Sequence, residues 1–284
     1  MHLHYFIHCM YKIIPCVDLD ELEKCDEIKF WTRLSRNPNA IPILENNLDK
    51  INWCVLSANT NAIHILKNNL DKVNWYVLSA NPNAIHILEN NINTNNCCVN
   101  WSALSSNPNA IHILEKNLDK VDWFNLSGNI NAIHILENNL NNLCWHMLSC
   151  NPSAILILEQ HLDKVDWNML SYNSNAIHML EQNIDKVDWN WLSYNPNAIH
   201  MLEQNIDKVD WNELSANSNA IPLLQNNLDK LNWNMISHNK NPNILSVIVK
   251  AYSTLITNDK INLLSNKHIF ALEVDCANRN SNIT

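Results

Sequence analysis

The chain has 284 residues, a formal net charge of −9, and 17% charged against 46% hydrophobic residues. That balance excludes a disordered chain, and with no Lys/Arg cluster beyond scattered pairs it excludes a nucleic-acid partner held by concentrated positive charge. No apolar run reaches the ~18 residues of a membrane-spanning helix, and the single glycine, Gly128, excludes glycine-rich phosphate loops.

In chain order, residues 1–23 read as an N-terminal cap segment. The opening MHLHYFIHCMYKIIPCV lacks a basic lead and a small-residue cleavage site, so it does not read as a signal peptide. His2, His4, His8 and Cys9 cluster there, a spacing read as accidental. Nine cysteines, odd in number and irregular in spacing, point to free thiols in a reducing, intracellular setting.

Residues 24–245 are a tandem array. Tryptophans at 31, 53, 75, 101, 123, 145, 167, 189, 211 and 233 recur every 22 residues, except for a 26-residue step after Trp75. The four extra residues read as a loop insertion near 93–98. A period in this range is the mark of a solenoid.

Counted from its tryptophan as position 0, one unit reads W-x-x-L-S-x-N-P-N-A-I-H-I-L-E-x-N-L-D-K-V-D. Ala110, Ile111, Leu114 and Leu118 fall within about 100° on a helical wheel, which predicts a helix whose apolar arc reaches position 17. The element LDKVDWxxLS predicts a second, shorter α or 3₁₀ helix, with Asp119 as its N-cap.

Pro42 and Pro222 replace the usual histidine at position 11, which requires the first helix to start late enough to place them in its first turn. The position-8 residues Asn39, Asn61, Asn83, Asn109, Asn131, Asn175, Asn197 and Asn219, with Ser153 in one unit, fit as its N-caps. The position-6 asparagine of all ten units belongs to the turn between helices. It fits there either as a glycine substitute at positive φ or as one rung of a side-chain amide ladder between units.

A lone unit cannot bury its apolar side chains, so each needs neighbours. The fold expected is an all-α solenoid, right-handed or of undetermined hand, of about ten 22-residue two-helix repeats. Residues 246–284 leave the repeat and read as C-terminal capping helices and tail.

The combination LSxNPNAIxxLExNxDKxxW resembles the Asn-, Ile- and Trp-rich tandem repeats of giant DNA viruses of the mimivirus group, over about 220 residues. More distantly, the NPxAIxxLLxxN-like spacing resembles the leucine-rich repeat variant, an array of α and 3₁₀ helices. The first resemblance implies a viral, intracellular protein, with a place in the virion also open.

The histidines at position 11 (His64, His86, His112, His134, His178 and His200) lie off the apolar arc and are expected to face solvent or the turn. No carboxylate or cysteine at fixed offset completes a ligand set, so no metal site is expected. The tryptophan column reads as core, and the Asp-Lys pair at positions 18 and 19 as a self-neutralising solvated face. No Ser-His-Asp, H-E-x-x-H or Gly-rich motif occurs, so neither catalytic residues nor a cofactor is expected.

Positions 1, 2 and 5 vary most between units and carry Tyr76, Phe124, Tyr172, Trp191 and Tyr194. These aromatics either fill the groove between units or anchor a partner. The expected function is a non-enzymatic interaction scaffold for a protein partner, a host protein included, with its binding face strongest around Tyr172, Trp191 and Tyr194. A self-associating structural or virion component is the alternative, and the oligomeric state expected is a monomer or a weak self-associate.

Overall fold

The computed structural model describes residues 27–94 and 99–257. The His/Cys cluster of the N-terminus, Cys97 and Cys98, and most of the C-terminal segment lie outside the described residues. The described residues are all-helical, without strands, and no helix among them is long and apolar enough to cross a membrane. The chain divides into two compact units, Met1–Cys144 and Trp145–Thr284. Within each, short helices repeat with the 22-residue period and every repeat packs on its sequence neighbours.

A repeat contains three short pieces. The first is a tryptophan-led helix of four to six residues, such as Trp101–Ser105 in the first unit and Trp189–Tyr194 in the second. The second is an isoleucine-led helix that begins at position 10, such as Ile111–Glu115 and Ile199–Gln204. The third is a tight turn at positions 17–19, which closes as a 3₁₀ helix at Leu140–Asn142, Ile184–Lys186 and Leu228–Lys230. The single element expected over LDKVDWxxLS is thus two, because the backbone extends at Val187 (φ −67°, ψ 129°) and Asp188 (φ −84°, ψ 104°) between them.

That break moves the cap. The tryptophan-led helices are capped from position 21, where the Asp188 carboxylate accepts from the Asn190 and Trp191 N–H groups at 3.0 and 3.1 Å. Asp210 caps the next repeat in the same way. Asp119 lies in the turn and does not cap. The apolar arc is also shorter than expected. Ala110 and Leu114 are fully buried, whereas Leu118 stands 38% exposed beside its counterparts Leu70, Leu162, Ile184 and Ile206.

Helices of five residues are too short to hold themselves, since the groups left unpaired at their two ends outnumber the bonds inside them. Polar side chains supply the missing bonds. The position-4 serines from Ser35 to Ser215 are fully buried. The Ser193 hydroxyl donates to the Trp189 carbonyl at 2.7 Å and accepts from the Asp210 N–H at 2.9 Å, which joins the end of one tryptophan-led helix to the start of the next.

At position 16, the Asn205 amide donates to the Met201 carbonyl at 2.9 Å and closes the C-terminus of the isoleucine-led helix. Asn47, Asn69, Asn117, Asn139, Asn183 and Asn227 do the same in their own repeats.

The position-6 asparagines form the amide ladder. Asn195 Nδ2 donates to the carbonyls of Ser171 and Asn173 at 3.0 and 3.1 Å, while its Oδ1 accepts from the Asn197 N–H at 3.0 Å. Asn217 and Asn239 repeat the pattern in the second unit, as do Asn81, Asn107 and Asn129 in the first. The same amide thus makes the turn and ties one repeat to the next. The expectation of positive φ fails: Asn37, Asn173, Asn195 and Asn217 lie at φ −78° to −70°, and even Gly128 is right-handed helical at φ −85°.

The position-8 asparagines are not N-caps either. Their amides bridge backwards, as in Asn197 Nδ2 to the Ser174 carbonyl at 2.9 Å, and no side chain caps the isoleucine-led helices. Pro42 and Pro222 do fall at the second helical residue, where no backbone donor is lost.

The core is a leucine column: Leu34, Leu56, Leu78, Leu104 and Leu126 at position 3 of the first unit, and Leu148, Leu170, Leu192 and Leu214 in the second, all fully buried. The tryptophans are its border. Trp31 is buried, and the other nine are half-buried. The lysines expected to neutralise aspartates lie over indole faces instead: Lys186, Lys208 and Lys230 sit 4.5, 4.7 and 4.6 Å from the ring centroids of Trp167, Trp189 and Trp211. A cation over an aromatic face lets the aliphatic stem cover the ring while the ammonium stays in water.

After the last repeat, the 14-residue helix Ile244–Thr257 buries Ile244, Val247 and Ala251 and sets Tyr252 against Trp233, with ring centroids 5.2 Å apart.

Candidate functional site

The buried positions repeat, whereas positions 1, 2 and 5, mostly exposed or half-buried, vary, so a site is sought among the varied positions. In the second unit, the tryptophan-led helices Trp167–Tyr172 and Trp189–Tyr194 have six residues, against four or five from Trp53–Leu56 to Trp123–Ser127 in the first unit, and end on tyrosine. The equivalent position-5 residues are Arg36, Ala58, Ala80, Ser106, Gly128, Cys150, Ala216 and His238. Each tyrosine directly precedes a ladder asparagine, Asn173 or Asn195, whose amide fixes the chain one repeat from the next. Two tyrosines so held must lie side by side. Their rings are stacked, with centroids 5.7 Å apart and 17° between planes.

Trp191 arrives from position 2 of the second helix and meets Tyr172 edge to face at 5.8 Å and 82°. The three rings remain 43% (Tyr172), 43% (Trp191) and 39% (Tyr194) exposed. Met169, Tyr172, Trp191, Tyr194 and Glu213 line one shallow depression of about 370 Å³. A second depression, of about 300 Å³, shares Tyr172 and Tyr194 and includes Cys150, Pro152 and Pro196. The structure therefore brings together the three aromatics expected to be strongest. Met169 and Glu213 were not singled out in the sequence, although both occupy the same varying position 2 as Trp191.

Tyr76 and Phe124 belong to the first unit, each exposed, at 65% and 53%. They sit at position 1, two repeats apart, and make no ring contact with one another among the described residues. Position 1 elsewhere reaches the cap of the following repeat: His146 Nδ1 lies 2.8 Å from Asp166 Oδ2, and Asn232 Nδ2 donates to Asn212 Oδ1 at 2.6 Å. Burial pushes the Asp166 carboxyl up, but hydrogen bonds from His146, Met169 and Asn168 prevail and hold it below its ordinary range. The Asp122 carboxyl is likewise lowered, chiefly by the Ser102 hydroxyl.

The histidine row has a carboxylate at fixed offset after all. His64, His178 and His200 reach Glu45, Glu159 and Glu181, each 19 residues earlier, at 2.5, 2.6 and 2.6 Å, and His134 reaches Glu115 in the same way. His112 lies 3.6 Å from Glu89. These pairs are about half exposed, where an ion pair contributes at most about 1 kcal/mol. They tie neighbouring isoleucine-led helices together on the surface. No group of three His, Cys, Asp or Glu that could hold a metal ion occurs among the described residues.

Comparison with protein-family models, with curated proteins and with solved structures yields no match to this chain.

Proposed function

We propose that this protein is a non-enzymatic interaction scaffold, whose second unit binds a protein partner through Tyr172, Trp191 and Tyr194. One observation carries the reading. The recurrent residues at positions 3, 4, 6 and 8 are buried or bonded between repeats, while these three large aromatics contact one another and stay about 40% exposed. Aromatic side chains supply rigid, amphipathic area at low entropic cost, which is why they anchor interfaces. The reading extends to an intracellular protein of viral type, supported by the unframed cysteines and the repeat pattern.

The test uses substitutions drawn from the repeat's own vocabulary. Trp191→Met installs the residue found at Met147, Met169 and Met235, and Tyr194→Ala the residue found at Ala58 and Ala80. The double variant is expected to keep its far-UV helical signal and to lose most partner capture from expressing cells, by tenfold or more for anchors worth ~2 kcal/mol. Capture at undiminished level would end the proposal.

A further inference from the structure

The aromatic depression also carries a charge. At positions 1, 2 and 5 and at the helix caps of the second unit, the charged residues are Asp166, Asp188, Asp210 and Glu213, with no lysine or arginine. At the same positions the first unit carries Arg33, Arg36 and Asp122. Glu213 is half-buried, lines the depression, and pairs with no cationic side chain among the described residues. A carboxylate held partly out of water beside exposed aromatic faces favours a cation, because ring quadrupole and carboxylate both attract it.

The ring geometry narrows the cation. A group held between two parallel faces needs two contacts of about 3.5 Å, hence roughly 7 Å between rings. Tyr172 and Tyr194 are 5.7 Å apart and closed to it. What remains is the open depression lined by Met169, Tyr172, Trp191, Tyr194 and Glu213, suited to a flat group laid on an exposed ring. A guanidinium is planar, stacks on aromatic faces and pairs with a carboxylate through two parallel N–H bonds. An ammonium would use the same site as a point charge, without the fork or the stacking.

From these observations we infer that the partner is a basic peptide segment that lays an arginine side chain on Trp191 and Tyr194 and pairs its guanidinium with Glu213. This rests on the scaffold reading above and names its partner.

The experiment is fluorescence polarisation on the full chain with a labelled ten-residue peptide of alternating arginine and glycine, at about 0.15 M salt so that long-range attraction is screened. Matched peptides carry lysine, or the neutral isostere citrulline, in place of arginine. Expected are saturable binding of the arginine peptide, weaker binding of the lysine peptide and none of the citrulline peptide. Trp191→Met and Glu213→Gln are each expected to weaken the arginine peptide about fivefold to twentyfold, the range of a partly desolvated cation–aromatic or charged contact. The Glu213→Gln variant should also erase most of the preference for arginine over lysine.

Equal binding of arginine and lysine peptides, unchanged by either variant, would show attraction to a chain of charge −9 alone and overturn the inference. So would no binding at all. If the arginine peptide fails while Trp191→Met with Tyr194→Ala still abolishes capture from cells, the scaffold reading stands and the basic partner falls.

Discussion

Asn195→Ala is expected to lower the stability of the second unit by about 3 kcal/mol, far more than an ordinary polar substitution. Asn195 is fully buried and its amide makes three bonds. Truncation leaves the Ser171 carbonyl and the Asn197 N–H without that partner and strips the Asn173 carbonyl of one of its two donors, the Ala176 N–H remaining. Each buried group left unmade costs about 1–3 kcal/mol, moderated where water enters. Asn195→Asp keeps the shape and removes only the donors, turning a carboxylate toward two carbonyls. It should cost about 4 kcal/mol at neutral pH. Asn197→Ala, which loses one exposed inter-repeat bond, should cost about 1 kcal/mol or less. Urea unfolding orders the three, and an Asn195→Asp variant as stable as the parent would refute the ladder.

The second large effect lies in the leucine column. Leu192 is fully buried, so Leu192→Ala should cost about 2–5 kcal/mol through lost transfer energy and the cavity left behind. Ile206, on the apolar arc of the helical wheel but 37% exposed, should cost only about 1 kcal/mol when cut to alanine. Similar costs at both sites, read from urea midpoints, would mean that the arc extends to position 17 as its periodicity suggests.

That contrast shows where the sequence was readable. The tryptophan period, the all-helical repeat with its isoleucine-led helix, the leucines at position 3 and the first-turn place of Pro42 and Pro222 all follow from spacing. So does the grouping of Tyr172, Trp191 and Tyr194, since equivalent positions of adjacent repeats must be neighbours in any stack. What stayed hidden depends on which backbone groups a neighbouring repeat presents. The turn asparagine Asn195 fits positive φ or an amide ladder equally well, and Asn197 looks fit to cap a helix; only the carbonyls of Ser171, Asn173 and Ser174 decide that the first builds the ladder and the second a lateral bridge. The Lys186 stem over Trp167 and the pairing of His200 with Glu181 are choices of the same kind, made by stacking. The exposure of Leu118 follows from a helix that stops at Glu115, three residues before it.

If every Trp-to-Trp segment leans on its neighbours through the same serine, asparagine and leucine contacts, a further copy should fit anywhere in the stack. The direct measurement is urea unfolding of the full chain with residues 189–210 duplicated in tandem after Asp210, beside a chain carrying only the first eleven residues of that insert. Interchangeable modules predict that the 22-residue insertion folds, adds helical signal, and unfolds at the parent's urea concentration or above, while the half-length insertion unfolds earlier. Equal tolerance of both lengths, or collapse of the 22-residue chain, would contradict it.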